Sequence, residues 1–291
     1  MAAPPFNYLE TLNAVDDSID QNAELSLAIL QTGLNSFGLP LQASKARGEE
    51  PSWQSTANSN DLEKARSTLR QFYRDWSEAG SAEREVCYGP VIKALVDEQR
   101  SRSEKSLRVL VPGAGLGRLV FELCLVGFNT EGNEISYHQL LASSYILNHV
   151  SDAKVHTLFP WVHSFSNHKN RQNHLSSVQI PDVHPGTTLG AVPTPGEMSM
   201  SASDFLLLYG HEEQKESFDA VATVFFLDTA PNIIRYIEAI RNCLRPGGII
   251  VNFGPLLWHF ENNAPGNHGK NEEEPIDSPR GKKSHAVIVT S

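Results

Sequence analysis

At 291 residues, 40% of them hydrophobic, the chain is long enough for one large domain or two small ones with ample core. Its net charge of −10, carried without a basic block, argues against a nucleic-acid groove, and no apolar run reaches the roughly 18 residues of a membrane span. Cys87, Cys124 and Cys243 are too scattered for a disulfide framework or a zinc knuckle.

Residues 1–38 are weakly amphipathic and allow one or two helices through Leu9, Leu12, Leu25, Ile29 and Leu30. No basic segment opens the chain as a signal peptide would, so a cytoplasmic location is expected, with the nucleus as a second compartment. From Pro40 to Ser59 the Gln-, Ser- and Lys-rich sequence reads as a mobile linker. Asn60 and Glu63 then have capping-box spacing, and Leu62, Ala65, Leu69, Phe72, Tyr73 and Trp76 recur at helical intervals. The pattern predicts a helix from Asp61 to Glu78, ended by Gly80, and a second from about Val91 to Gln99 after Pro90. Gln71 and Arg74 lie one turn apart on the first helix. They form either a solvated polar face or part of a lid whose guanidinium captures a carboxylate.

The apolar run Leu107–Val111 leads into Gly113-Ala114-Gly115-Leu116-Gly117, after which Arg118 to Val126 reads as a helix. Strand, glycine loop and helix in that order open a nucleotide-type α/β fold. A dinucleotide fingerprint needs its third glycine at position 118, which is Arg118. The pattern G-x-G-x-G instead suits S-adenosylmethionine, which has no pyrophosphate to cradle, so a nicotinamide-dependent oxidoreductase is disfavoured. Phe128 to Glu134 reads as a second strand whose final acid stands where doubly wound folds place a carboxylate on ribose hydroxyls; an ordinary exposed acid is the bland reading. A helix over Ser136 to Val150 follows.

Residues 151–197 break the α/β rhythm. Five histidines (His156, His163, His168, His174 and His184) sit in Pro-, Ser- and Asn-rich sequence without ligand spacing, so an insertion is expected and no metal site. Met198 to Ser201 reads as a third strand, and the Asp204-Phe205 pair behind it can bind adenine or simply cap the next turn. Phe218 to Leu227 is apolar almost throughout, as a central parallel strand should be. It delivers Asp228 to the sheet's carboxyl edge, unless that acid only helps start the helix at Asn232 to Leu244. Ile249 to Phe253 is the fifth strand, leading to Gly254–Glu261.

Several of these stretches together resemble the carnosine N-methyltransferase family: STLRQFYRDWSE (67–78), VLVPGAGLGRL (109–119), GNEIS (132–136), SASDF (201–205), FFLDTAPNIIRYI (225–237) and GPLLWHFEN (254–262). The resemblance covers roughly residues 60–262. It implies an α/β fold with a Rossmann-like sheet of the S-adenosylmethionine-dependent methyltransferase kind, carrying an N-terminal helical extension. On that reading residues 1–59 are the extension, 60–262 the catalytic domain with lid helices and the insertion at about 151–197, and 263–291 a disordered tail. The resemblance implies cofactor contacts from Gln71, Arg74, Gly113, Gly115, Glu134, Asp204 and Phe205, with Val224 lining the site. It implies acceptor contacts from Asp228 and His259, although a lone histidine beside a strand end is otherwise more often structural.

The implied activity is methyl transfer from S-adenosylmethionine to the imidazole of carnosine or another His-containing dipeptide. A different acceptor (a protein histidine or another small molecule) and a non-catalytic cofactor-binding protein stay open beside it. The expected partner is the dipeptide, with a homodimer open and neither nucleic acid nor membrane expected. One departure from the family pattern stands out. After Asn262 the sequence turns Pro-, Asn-, Lys- and Glu-rich where the family continues into a segment with pocket tyrosines, and only Ala286 to Thr290 reads as a strand. The chain is therefore expected to bind the cofactor, to methylate carnosine poorly or not at all, and to leave the edge of its fifth strand unpaired.

Overall fold

The computed structural model describes residues 7–39, 56–102, 106–262 and 288–290. Most of the expected linker at 40–59 and nearly all of the expected tail lie outside them. In chain order the helices and strands are α1 (Tyr8–Ser36), α2 (Ser59–Trp76), α3 (Ser81–Arg102), β1 (Arg108–Pro112), α4 (Arg118–Val126), β2 (Asn129–Glu134) and α5 (Tyr137–Asn148). There follow β3 (His156–Leu158), α6 (Arg171–His174), β4 (Val178–Ile180), α7 (Pro185–Gly190), β5 (Met198–Ala202), α8 (Phe205–Tyr209), β6 (Phe218–Val224), α9 (Ile233–Cys243), β7 (Leu244–Phe253) and β8 (Ile288–Thr290). Chain contacts divide the protein into two compact units, Met1–Arg84 with Tyr137–Thr188, and Glu85–Ser136 with Leu189–Ser291.

In the first unit α1 is one long helix packed on α5, with Gly33 so close to Leu141 that a Cβ would lie 2.9 Å from Leu141 Cδ2. Asn22, buried on α1, binds the Phe159 backbone at both ends, its Nδ2 donating to the carbonyl (3.0 Å) and its Oδ1 accepting from the N–H (2.8 Å). The cap of α2 is Asn58, not Asn60. Its side chain accepts from the N–H groups of Asn60 and Asp61, and Asp61 accepts from the Asn58 N–H. Asn58 and Asn60 have equal capping chemistry, and a box can close on aspartate as well as on Glu63, so spacing alone placed the start two residues late.

At the other end of α2, Arg84 donates from Nη1 to the carbonyls of Arg74 and Ser77 and from Nη2 to Asp182 (2.7 Å). It thereby satisfies carbonyls that a helix end leaves without partners. Helix α3 also departs from expectation, starting at Ser81 and running through Pro90. The proline removes a single i→i−4 bond, to the carbonyl of Val86, and that turn faces solvent with Val86 64% exposed.

The inserted histidines belong to this unit, and each is held locally. His156 Nε2 meets the Tyr145 hydroxyl at 2.6 Å, and His184 Nε2 bonds the Val150 carbonyl at 3.2 Å. His174 is fully buried; a guanidinium only donates, so Arg171 Nη1 fixes Nδ1 as acceptor and the Nε2–H donates to the Val162 carbonyl. Burial is the first cause holding His156, His163 and His174 below the ordinary histidine range. With folded values depressed, the unfolded chain binds more protons as the pH falls through and below about 6.5. The stability these rings contribute is complete above that value and is lost as the pH drops through their folded values. The melting temperature is therefore expected to fall between pH 7 and pH 5, and a flat or rising profile over that range would count against their burial.

The second unit is built on a sheet of order β7-β6-β1-β2-β5-β8. Strands β1, β2, β5, β6 and β7 are parallel, and β8 joins β5 antiparallel. Both faces are covered, as a parallel sheet requires. Val109, Val111, Ala220 and Ala222 pack with Leu119, Val120 and Leu123 of α4 and Tyr88, Val91 and Leu95 of α3. Leu110, Val221 and Phe218 pack with Phe205 and Tyr209 of α8 and Ala239, Ile240 and Cys243 of α9. The cysteines are buried free thiols, and desolvation pushes Cys124 up to about 11. The final strand joins the sheet at β5 instead of beyond β7, and among the described residues nothing pairs with the outer edge of β7.

Candidate active site

The strand order reverses direction at β1, with β2 to one side and β6 to the other, and ligands of doubly wound sheets bind at the carboxyl ends of strands around such a point. The three glycines of the loop after β1 all have positive φ, at 67°, 58° and 77° for Gly113, Gly115 and Gly117. Gly113 has a second reason to lack a side chain, since a Cβ there would lie 2.7 Å from Cδ2 of Phe226. Gly113→Ala should cost about 1–2 kcal/mol of stability through the left-handed backbone alone. A denaturant titration showing no loss would place the strain elsewhere. Arg118 is buried, binds Glu122 through Nε (2.8 Å) and lies over the Phe121 ring.

Glu134, at the end of β2, is 7% exposed. One oxygen accepts from the Gly115 N–H at 3.0 Å, and the other from the N–H groups of Ile135 (2.8 Å) and Ser136 (2.9 Å). The carboxylate thus pins the middle of the glycine loop to the end of β2, and its four lone-pair sites exceed the three donors it holds. Its neighbour Asn133 is a site residue that the sequence reading passed over. Asn133 Nδ2 lies within bonding distance of Ser201 Oγ (3.2 Å) and the Ser203 carbonyl (3.1 Å), while its own carbonyl accepts from Ala114 N–H. It ties the glycine loop and the ends of β2 and β5 together. A polar side chain inside a buried parallel strand was the available signal.

Asp204 caps α8, its Oδ1 accepting from the Leu207 N–H at 3.1 Å. The capping reading is therefore realised, and it leaves the second carboxylate oxygen for other work. Phe205 is 4% exposed and sits in an aromatic cluster with Phe226 (5.3 Å between centroids) and Tyr236 (5.3 Å). Phe226 also approaches Gly113, so one run of rings underlies both the loop and the start of α8. Val224, half-buried, is the last residue of β6.

Beyond Val224 the chain turns sharply. Phe225 adopts φ 51°, a conformation costly for an aromatic residue, while its N–H still binds the Phe253 carbonyl of β7. The turn that follows places Asp228 with its side chain 8% exposed, and Asn232 instead supplies the cap of α9. The loop after β7 folds back onto this turn: His259 N–H donates to the Asp228 carbonyl (3.0 Å), and Trp258 Nε1 donates to the Ala230 carbonyl (2.7 Å). His259 Nε2 then stands 3.8 Å from Asp228 Oδ2, with the imidazole 61% exposed. That gap exceeds a hydrogen bond, so the carboxylate keeps acceptor capacity for a ligand.

The glycine loop, Glu134, Asp204, Phe205, Val224, Asp228 and His259 all belong to the second unit. Gln71 and Arg74 belong to the first, on the last two turns of α2. Arg74 binds the buried Asp75 bidentately, Nε to Oδ1 at 2.7 Å and Nη2 to Oδ2 at 3.1 Å.

Residues 51–278 match the family model described as carnosine N-methyltransferase. The carnosine N-methyltransferase of Mus musculus is 40% identical over 256 residues, covering 87% of this chain and 61% of that protein. That of Schizosaccharomyces pombe is 39% identical over 270 residues, 92% of this chain and 69% of the relative. The chain thus spans about three fifths of the length of the mouse protein it matches. Among solved structures, a methyltransferase from Thiobacillus denitrificans in complex with S-adenosyl-L-homocysteine shares 14% identity at a TM-score of 0.37, covering 66% of this chain and 54% of its own. At that score it adds nothing to the fold argument, which rests on the strand order above. The long matches at about 40% identity and the family model over most of the sequence settle the relationship: the chain belongs to the carnosine N-methyltransferase family.

Proposed function

We propose that the chain binds S-adenosylmethionine at the carboxyl ends of β1, β2 and β5 and methylates an imidazole nitrogen of carnosine or a related His-containing dipeptide. The observation that carries the reading is the pairing of Asp228 and His259 beside the strained Phe225, next to a cradle that fits this cofactor. The cradle fits because three positive-φ glycines keep side chains out of it, and because a buried carboxylate with one free acceptor site stands at the end of β2, where ribose hydroxyls can donate to it. Gly113, Gly115 and Glu134 would hold the cofactor, and Asp204 and Phe205 would serve its adenine end. When bound, S-adenosylmethionine supplies an electrophilic methyl group.

The rest falls to side chains of this chain. A neutral imidazole, with reference pKa about 6.5, is mostly unprotonated at pH 7, and only the tautomer with its lone pair on the target nitrogen reacts. Asp228 accepts a hydrogen bond from the other ring N–H, selecting that tautomer and offsetting the positive charge that grows on the ring. His259 positions the acceptor against it. Such positioning of two reactants is worth several kcal/mol, so no strong acid or base is needed. The test is incubation with S-adenosylmethionine and carnosine, followed by mass spectrometry. A dipeptide heavier by one methyl group is the expected product. Cofactor binding without that product, but with methylation of another acceptor, would overturn the assigned substrate.

A further inference from the structure

Within the first unit, on the face of α2 that carries Arg66, Arg70 and Tyr73, lies a groove of about 650 Å³ closed on its other side by residues 160–178. No role in methyl transfer has been assigned to it. We propose that this groove is a second ligand site, for a small molecule that carries a phosphate monoester on a flat apolar body.

Charge makes the first argument. The protein carries ten more acidic than basic groups, yet among the described residues no carboxylate lines this groove. Arg66 and Arg70 are four residues apart on one helix, so both guanidiniums face the same space. Arg70 is exposed and has no ion pair or hydrogen bond among the described residues. Arg66 spends Nη1 on Glu63 (2.8 Å), while its buried Nε has no partner. A buried donor left unsatisfied is uncommon enough to need a reason. Two guanidiniums suit a dianion with several acceptor oxygens better than a single carboxylate. His163 senses the same field, since after burial it is Arg66 and Arg70 that hold its ring below the ordinary range.

Size and shape make the second. The volume is several times what an inorganic anion fills and falls among cavities that hold small organic ligands. Ala79, Pro160 and Val178 share the apolar part of the wall with two rings, Tyr73 and Trp161, packed edge to face at 5.1 Å between centroids. Serine hydroxyls and asparagine amides make up much of the remainder, so the lining is rich in donors.

The probe is phenyl phosphate, titrated calorimetrically into the full chain, with phenol and inorganic phosphate alongside. Phenyl phosphate has no adenine with which to enter the proposed cofactor cradle. It is expected to bind more tightly than either fragment. Arg70→Glu, at an exposed position without partners, should weaken it at least about tenfold by replacing a guanidinium with a repelling charge, with the melting temperature unchanged. Lys93→Glu makes the same charge change at an exposed residue that does not line the groove, and should leave affinity within about twofold. Equal weakening by both variants would reduce the binding to general electrostatics and overturn the proposal. So would phenol binding as well as its phosphate ester, or no binding of phenyl phosphate at millimolar concentration.

Discussion

Replacing Glu134 by alanine is expected to weaken S-adenosylmethionine binding by about 2–3 kcal/mol, roughly 30- to 150-fold, and to lower the melting temperature as well. The two effects have one origin. Glu134 accepts from Gly115, Ile135 and Ser136, so its loss leaves three N–H groups around the cradle without their acceptor and releases the loop from β2. A cofactor's hydroxyls would lose a charged acceptor in the same stroke. Calorimetry with S-adenosylmethionine and a thermal melt, run on the same preparation, separate the contributions. Unchanged affinity together with a lowered melt would reduce Glu134 to a structural brace.

Asp228→Asn should act at the opposite step, cutting turnover by about a hundredfold while leaving cofactor affinity within about twofold. The amide keeps the size of the carboxylate and can still accept a hydrogen bond, but it supplies no charge against a ring becoming cationic and can present a donor to the wrong tautomer. Because the side chain is largely buried and the backbone carbonyl of Asp228, not its carboxylate, receives His259 N–H, the turn itself should survive. Single-turnover methylation of carnosine with saturating S-adenosylmethionine reads the effect. Equal losses in cofactor affinity and rate would move Asp228 out of the acceptor's half of the site.

Legibility in the sequence tracked how local each signal was. The glycine loop and α4 could be placed to the residue, because an apolar run, three glycines and an amphipathic stretch follow one another without interruption. The start of α3 could not, because Pro90 reads as a helix boundary when the exposure of the turn it disrupts is unknown. The apolar run ending at Leu227 gave no warning that the strand stops at Val224. Nothing in a phenylalanine announces the left-handed conformation that Phe225 adopts, which is imposed by β7 and the turn behind it. Within the site, residue types foretold chemistry but not occupation. Asp204 was equally good as a cap and as a ligand, and the fold uses it as a cap. The approach of Asp228 to His259, 31 positions apart in the chain, was carried only by the family resemblance, since it depends on a loop returning from the neighbouring strand.

Each compact unit is assembled from two separate stretches of chain, and this governs how the protein can be made. Helices α1 and α2 leave the ribosome long before α5, β3 and β4, the elements they pack on. About a hundred residues of the other unit's sequence and their own must first be synthesised, a delay of roughly 5–20 s at typical elongation rates. During that interval Leu25, Phe72 and Trp76, which end fully buried, have no finished core to enter. The second unit waits in turn, since β1 and β2 emerge before β5, β6 and β7 can flank them. Domain-by-domain folding from the N-terminus is closed to such a chain. Both halves must mature late and nearly together, with the apolar faces of the early amphipathic helices left uncovered until then.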